Sequence, residues 1–307
     1  MIDIQRILCP IDYSDFSRRA LDHAVAIARW YGSTVMVFHV SAILPAAAFA
    51  PGVQAVTATP LTPEGREAMI TALQTFAGPE TRESGVRVEF DVTEGGAAVE
   101  ILAKATEMRS DLIVLGTHGY SGFDRLVLGS VTEKVLRKAS CPVLTVPCRA
   151  ADAAPVPSAL FKRILCATDL SECSFAALRY AISLAEEADA HLTVLSVVDL
   201  PLGVWPDVDK APPLPKELRK YIDEAETDRR KSLEALIPAD ARTYCTIDTA
   251  VASGTPYRKI LEMAGESNTG LIVMGVRGRG AVDVMLFGST AQHVVRQAMC
   301  PVLTIRG

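Results

Sequence analysis

Two glycine-rich segments with the same internal spacing contain the residues best suited to binding chemistry in this chain. Gly116-Thr117-His118-Gly119 is followed, after nine residues, by Gly129-Ser130. The pattern returns 159 residues later as Gly275-Val276-Arg277-Gly278 and Gly288-Ser289. Glycine lets a backbone approach a ligand closely, and a helix beginning at Gly-Ser would offer its first amides and the positive end of its dipole. The spacing therefore predicts two loops that could each hold a phosphate group.

A simpler interpretation of each Gly-Ser pair is that it only begins a helix, because serine is a common capping residue. A single copy would not separate this interpretation from phosphate binding. The sequence shows no structural need for Gly116 and Gly119, or for Gly275 and Gly278. These four glycines therefore favour the close approach of a ligand.

Other nucleotide-binding and catalytic motifs are absent from the sequence. It has no Gly-Lys-Ser/Thr, no Gly-x-Gly-x-x-Gly after the first strand, no His-Glu-x-x-His and no Gly-x-Ser-x-Gly. We therefore expect no metal site and no nucleophilic centre, and any hydrolysis of a bound phosphate compound would be slow, since no base or water-positioning residue is apparent. His293 shares a helix face with Ser289, but a packed or capping histidine is the favoured interpretation.

The composition indicates an ordinary globular protein with two domains. The chain has 307 residues, of which 49% are apolar and 22% charged, and ~100–200 residues per domain is usual. Its net charge of −5 provides no basic face for nucleic acid or an anionic membrane. We therefore expect neither as a partner.

Neither a membrane anchor nor a disulfide framework is expected. The uncharged stretch 41–63 contains prolines that would break a spanning helix, and the chain enters its first strand without a signal peptide. The seven cysteines include no Cys-x-x-Cys pair. We therefore expect buried thiols in a reducing cytosol, and a cytoplasmic location.

Short apolar strands alternate with amphipathic helices in both halves of the chain. Strands are expected at 6–11, 34–40, 86–92, 112–116 and 143–146, and again at 163–167, 191–197, 243–251, 271–275 and 302–305. Strict alternation predicts the α/β class: two tandem Rossmann-like, doubly wound domains, each a parallel sheet with helices on both faces. The expected bounds are 1–149 and 160–307, with a proline-containing linker at 150–159.

Ligands of such sheets bind outside the carboxyl ends of the strands, where the strand order reverses. If the first strand is central, the loops after strands one and four meet there. They carry Asp12 and the first glycine segment in one half, and Asp169 and the second segment in the other. Each domain is therefore expected to have one crevice.

The chain resembles the universal stress protein family over nearly its whole length. The resemblance rests on Asp-x-Ser after the first strand, on Gly-x2-Gly-x9-Gly-Ser, and on the closing Cys-Pro-Val-Leu-Thr of 141–145 and 300–304. It implies a five-stranded parallel sheet of order 3-2-1-4-5. In the subgroup with this glycine loop it also implies binding of ATP (or ADP or AMP), with or without Mg²⁺.

The resemblance also implies a role for individual residues. Asp12 and Asp169 would lie by the adenine and ribose, Val40 and Val197 would contact adenine, and Val198 is an alternative to Val197. Gly116 and Gly275 would meet the ribose. The phosphates would be held by Gly119, Gly129 and Ser130 in the first half and by Gly278, Gly288 and Ser289 in the second.

The apolar segments Val143–Val146 and Val302–Ile305 are expected to be edge strands. An apolar edge must be covered, so we expect the two halves to pair through these segments as an internal pseudo-dimer, and a further homodimer stays open. The expected function is a nucleotide-binding stress-response regulator. The alternatives are a protein-interaction scaffold with vestigial glycine loops, and a slow ATPase at the same site.

Overall fold

The computed structural model describes residues 2–42, 62–118, 128–147, 161–199, 216–277 and 287–306. The chain divides into two compact units, Asp3–Val156 and Pro157–Gly307. Two of the expected site residues, Gly119 and Gly278, lie outside the described residues, and so does the expected linker 150–159. The domain bounds drawn from the sequence stay a prediction.

The first unit alternates strands and helices as expected. Its elements are β1 (Arg6–Pro10), α1 (Asp15–Tyr31), β2 (Thr34–Ser41), α2 (Pro63–Arg82), β3 (Arg87–Glu94), α3 (Ala97–Glu107), β4 (Leu112–Gly116), α4 (Ser130–Lys138) and β5 (Val143–Val146).

The second unit repeats this order with one short additional helix. Its elements are β6 (Arg163–Ala167), α5 (Glu172–Ala188), β7 (His191–Asp199), α6 (Lys216–Leu236), α7 (Ala241–Tyr244), β8 (Thr246–Gly254), α8 (Pro256–Glu266), β9 (Leu271–Gly275), α9 (Ser289–Gln297) and β10 (Val302–Ile305).

Each unit has a parallel five-stranded sheet of the expected order. The first reads β3-β2-β1-β4-β5, and the second reads β8-β7-β6-β9-β10. In the first unit Ile7 pairs with Leu112 and Leu8 with Ile113, so the first strand lies between β2 and β4. The order reverses beside β1 and β6, which confirms the expected fold and places the switch point between the loops after β1 and β4, and after β6 and β9.

The central strands are buried on both faces, as their apolar sequences predict. All five residues of β4 are buried, and helices pack on both sides of the sheets. Among the largest fully buried side chains are Ile7, Leu8, Ile113, Leu144, Ile164 and Leu165. The hydrophobic effect thus holds the strand ends at fixed positions and orients the loops that leave them.

Two elements differ from the expectation. The predicted strand 243–251 begins only at Thr246, because Asp240 caps the short helix α7 by accepting a hydrogen bond from the amide of Ala241. Helix α2 is interrupted at Gly78, whose φ of 71° and ψ of 170° are not helical, and Pro79 follows it. Within the described residues, no helix is both long and apolar enough to cross a membrane.

Candidate functional site

The chain bends sharply where it leaves β1, and this bend positions Asp12. Tyr13 adopts a φ of 64°, a left-handed conformation that costs a non-glycine residue roughly 1–2 kcal/mol. The amide and the hydroxyl of Ser14 both donate to Oδ1 of Asp12, at 3.1 and 2.5 Å. Ser14 Oγ in turn accepts the amide of Ser17, at 3.2 Å, and so caps α1. Asp12 therefore orients the cap rather than serving as one.

The second unit builds the same bend from different residues. Leu170 has a φ of 64°, and Oδ1 of Asp169 accepts the amide and the hydroxyl of Ser171 at 3.1 and 2.6 Å. Ser171 caps α5 through the amide of Ser174. Both expected aspartates thus lie at the carboxyl end of the first strand of their unit, at the switch point of the sheet.

Gly116, at the end of β4, has a packing role that the sequence did not show. A Cβ on this residue would lie 2.6 Å from Cβ of Phe16 and 3.1 Å from its carbonyl carbon. At the equivalent Gly275, a Cβ would lie 2.9 Å from Sγ of Cys173. The expectation that these two glycines have no structural need is wrong, because the first turn of α1 or α5 packs directly on them.

The loops after β4 and β9 each end beside the residues where they begin. The amide of Gly129 donates to the carbonyl of Thr117 at 2.8 Å, and the amide of Gly288 donates to Val276 at 2.8 Å. These two amides therefore already have acceptors, and the helix amides without an intrahelical acceptor begin one residue later. A Cβ at Gly129 would also lie 3.1 Å from the Thr117 oxygen, so the glycine is needed for the return of the loop.

Helices α4 and α9 begin at these loops with uncapped first turns. Among the described residues, no side chain caps either helix at Gly129 or Gly288. Ser130 and Ser289 are both exposed at the first helical position. Because the first amides of a helix have no intrahelical acceptor, each unit presents an accessible group of N–H donors with a serine hydroxyl beside them.

A buried side-chain nitrogen that has no partner within the described part of the chain lies next to each helix start. Nε2 of His118 and Nε of Arg277 are buried and have no hydrogen-bond partner among the described residues. The two positions are equivalent, since each lies two residues after the glycine that ends β4 or β9. The would-be Cβ of Gly129 lies 3.5 Å from Cα of His118, and that of Gly288 lies 3.7 Å from Cα of Arg277. An unpaired buried donor costs roughly 1–3 kcal/mol, which an oxyanion at the helix start would offset.

His118 can act as such a donor. Its Nδ1 lies 3.0 Å from Oγ1 of Thr117. When Nδ1 accepts the threonine hydroxyl, the hydrogen of the neutral ring is on Nε2. Nε2 of His118 is then an N–H group that can donate a hydrogen bond.

The strand register decides which valine of β7 corresponds to Val40 of β2. Pro10 pairs with Phe38 in the first unit, and Ala167 pairs with Leu195 in the second. Two residues further along lie Val40 and Val197. Val197 is partly exposed, whereas Val198 is buried. Of the two alternatives, Val197 has the position and the accessibility of Val40.

An aromatic cluster beside Asp12 was missed in the sequence. The Tyr13 ring lies 4.8 Å from the His39 ring and 5.4 Å from the Phe76 ring, centroid to centroid, and His39 Nδ1 contacts the carbonyl of Ile11 at 2.8 Å. Tyr13 is 37% exposed, and partial burial raises its pKa. The signal in the sequence was Tyr13, an aromatic residue at the central position of Asp-x-Ser. The second unit has the aliphatic Leu170 at that position.

Arg306 was also missed. It directly follows β10, at the position that Pro147 occupies after β5. Burial is the main cause that lowers its pKa, and the positive charge of Arg277 lowers it further. A residue-by-residue comparison of the two halves would have shown this difference.

The described residues contain no group of three or more His, Cys, Asp and Glu side chains placed to hold a metal ion. Nor is there a Ser–His pair at Ser289, because Nδ1 of His293 contacts the backbone carbonyl of Ser289 at 2.7 Å and its ring stacks on Tyr257. The six described cysteines are free. Burial raises the pKa of Cys166 to about 12 and that of Cys141 to about 11.

Comparison with known proteins agrees with this architecture. A universal stress protein of Methanocaldococcus jannaschii is 36% identical over 143 residues, which cover 46% of this chain and 81% of that protein. One of Mycolicibacterium smegmatis is 26% identical over 301 residues, 98% of this chain and 96% of that protein. The crystal structure of a universal stress protein from Archaeoglobus fulgidus has the same fold, with a TM-score of 0.66, 24% identity, and coverage of 99% of this chain and 97% of that one.

The family model described as the universal stress protein family matches twice, at residues 3–147 and 160–306. The two matches together include nearly the whole chain, and each contains one five-stranded sheet with its Asp-x-Ser bend and glycine loop. The chain therefore belongs to the universal stress protein family and carries two copies of its domain in tandem.

Proposed function

We propose that the chain is a stress-response regulator that binds an adenine nucleotide, ATP or its ADP or AMP form, in one or both of its units. The observation that carries the proposal concerns a buried nitrogen at the same position in each unit. Among the described residues it has no hydrogen-bond partner, and no side chain caps the helix start beside it. Phosphate oxygens would accept from both kinds of donor. The rest of the site supplies surfaces suited to a nucleoside.

The proposed site in each unit is built from a few described residues. In the first unit the phosphates lie at Ser130 and His118, the ribose and adenine lie by Asp12, and Val40 borders the base. The second unit offers Ser289, Arg277, Asp169 and Val197 in the same places. Gly116, Gly129, Gly275 and Gly288 shape the backbone around the ligand, and Gly119 and Gly278 keep the phosphate-binding role that the sequence predicts.

Magnesium would bind together with the nucleotide. Since the described residues hold no cluster of three metal ligands, the phosphates and water would supply most of its coordination. The hydroxyl of Ser130 or Ser289 is an oxygen donor of the kind that Mg²⁺ accepts. We assign no catalytic residue, and regulation rather than turnover is the proposed role.

Some further expectations from the sequence remain proposals. They are the pairing of the two units through Val143–Val146 and Val302–Ile305, a further homodimer, and a cytoplasmic location. Sedimentation of the purified chain measures its oligomeric state directly.

The first test identifies the ligand that the protein retains. The purified chain is denatured, and the released small molecules are separated by chromatography. About one or two adenine nucleotides per chain support the proposal. Absence of nucleotide, together with no heat on titration of ATP, ADP and AMP, would instead favour a protein-interaction scaffold. ADP accumulating faster than in buffer would favour a slow ATPase.

The second test uses a charge at the helix start. Ser130→Asp with Ser289→Asp puts a carboxylate at the first helical position, where an acidic residue stabilises the helix by about 0.3–1 kcal/mol but repels a phosphate. Ser130→Asn with Ser289→Asn has nearly the same shape and no charge, and is the matched control. We expect loss of nucleotide binding in the aspartate variant only. Equal affinity of the two variants would contradict the site assignment.

A further inference from the structure

The two candidate sites differ in charge at equivalent positions. His118 follows β4 where Arg277 follows β9, and Pro147 follows β5 where Arg306 follows β10. The first unit thus has one histidine where the second has two guanidinium groups. The sheet brings the two positions together, because β4 pairs with β5 and β9 pairs with β10.

Arg277 and Arg306 follow neighbouring strands of the sheet, and Arg277 also lies at the start of α9. Gly275 pairs with Ile305 in the sheet, and the amide of Val276 donates to the carbonyl of Ile305 at 2.8 Å. The residues that follow these two strands therefore leave the sheet next to each other. Cα of Arg277 lies 3.7 Å from the position a Cβ of Gly288 would occupy, so the arginine is also in contact with the uncapped helix start.

The environment of this arginine pair favours a bound anion. Nε of Arg277 is buried and has no hydrogen-bond partner among the described residues. Burial lowers the pKa of Arg306, and the like charge of Arg277 lowers it further. Two partly buried positive charges close together repel each other, and an oxyanion near them would offset this repulsion and accept a hydrogen bond from Nε of Arg277.

The helices that face the two sites add to the difference. The first turn of α4 contains an acidic residue, Glu133, which pairs with Arg137 at 2.9 Å. The first turn of α9 contains no acidic residue, and Gln292 stands at the position of Glu133. A carboxylate near a helix N-terminus opposes phosphate binding there, so the second unit lacks a repulsion that the first unit has.

We infer that the second unit is the site selective for nucleotides with several phosphate groups, and that Arg277 and Arg306 contact the phosphate chain beyond the first phosphate. The first unit discriminates less between ATP and AMP. This inference rests on the proposed function. Guanidinium groups suit the task, since they bind phosphate oxygens in pairs and stay charged when partly buried.

The experiment measures each site in the full chain with the other site disabled. Ser130→Asp leaves the second unit available, and Ser289→Asp leaves the first. Isothermal titration with ATP and with AMP gives the ratio of the two affinities at each site. We expect this ratio to be about tenfold or more larger in the second unit, the size of roughly one charge-assisted contact.

Arginine variants test the cause of that ratio. In the Ser130→Asp background, Arg277→Gln with Arg306→Gln should weaken ATP binding about tenfold or more and change AMP binding by about threefold or less. Arg296→Gln is the matched control, because it removes the same charge from the last turn of α9, about 10 Å from the helix start. Arg277→Lys with Arg306→Lys keeps both charges and should give an intermediate ATP affinity.

The possible outcomes distinguish a failure of this inference from a failure of the proposed function. Absence of any nucleotide binding by the unaltered chain would overturn both. Binding with equal ATP-to-AMP ratios in the two units, or an unchanged ratio in the glutamine variant, would overturn only the role of the arginine pair. Circular dichroism of each variant shows whether it is folded, and if the glutamine pair is not, the lysine pair still tests the prediction.

Discussion

Replacing Gly116 by alanine tests the packing of α1 on the end of β4. The new Cβ would lie 2.6 Å from Cβ of Phe16, whereas non-bonded carbons are ordinarily about 3.5–4.0 Å apart. The contact is therefore short by about 1 Å. Cβ of Phe16 cannot rotate away, since it is fixed to the backbone of the first turn of α1, and that turn would have to move. Overpacking of this kind costs about 1–3 kcal/mol.

The assay is denaturant unfolding of the nucleotide-free protein. Trp30 lies in α1, and the only other tryptophan in the sequence is Trp205, outside the described residues. In a Trp205→Phe background, tryptophan fluorescence reports on the first unit alone, which avoids treating a two-domain chain as two-state. We expect Gly116→Ala to lower the free energy of unfolding by roughly 1–3 kcal/mol.

A matched pair in the second unit, whose unfolding is followed by hydrogen exchange of peptides from that unit, controls for the substitution itself. Gly275→Ala would place a Cβ 2.9 Å from Sγ of Cys173, whereas Gly265, in α8, has no atom within 4 Å of the position of a Cβ. Gly265→Ala should be neutral or stabilising by up to about 1 kcal/mol. If Gly116→Ala and Gly275→Ala were as stable as Gly265→Ala, the packing role assigned to the two strand-end glycines would be refuted.

Three further predictions follow from described contacts. Asp91 accepts hydrogen bonds from Lys104 and Arg66, and these bonds, against the opposing effect of burial, hold its pKa below the usual value. Asp91→Asn should therefore cost about 1–2 kcal/mol at pH 7. The ionised carboxylate contributes this stability above its unfolded-state pKa and loses it as pH falls through the lower folded-state pKa. The difference between the variant and the unaltered protein should therefore begin to shrink near about pH 4 and vanish only below the folded-state pKa, as acid unfolding curves would show. Ser171→Ala removes the cap of α5 and should lower the free energy of unfolding by about 0.5–2 kcal/mol in urea titration, while Ser232→Ala, on an exposed face of α6, should change it by less than about 0.5 kcal/mol. Cys166, with its pKa raised to about 12 by burial, should resist iodoacetamide at pH 8 in the folded protein and react in urea, as mass spectrometry of its peptide would show. Rapid labelling of the folded chain would contradict the burial.

The sequence predicted the fold well because the main signals are local. The apolar run of β4 and the duplicated order of strands and helices need no knowledge of distant contacts, and the structure confirms both. The short helix α7 was assigned to a strand because its capping by Asp240 competes with a pattern that continues into β8.

The candidate site was less predictable because its details depend on residues far apart in the chain. The packing of Gly116 on Phe16 joins residues 100 positions apart. The amide of Gly129 donates a hydrogen bond to the carbonyl of Thr117, and the spacing of the glycines does not reveal this contact. The choice of Val197 over Val198 required the register of β6 with β7. Residue type and spacing predicted the candidate sites, and the tertiary contacts decided which of their groups already have partners within the protein.

The bend after the first strand restricts the orientation of the aspartate that precedes it in each unit. Tyr13 and Leu170 have the same φ of 64°, although one side chain joins an aromatic cluster and the other is aliphatic. A glycine would remove the strain at this corner, yet it would also widen the range of directions in which Asp12 or Asp169 could point. The two units therefore differ in the side chain at this corner and share its left-handed backbone. In each unit a small cost in stability restricts the orientation of the preceding aspartate.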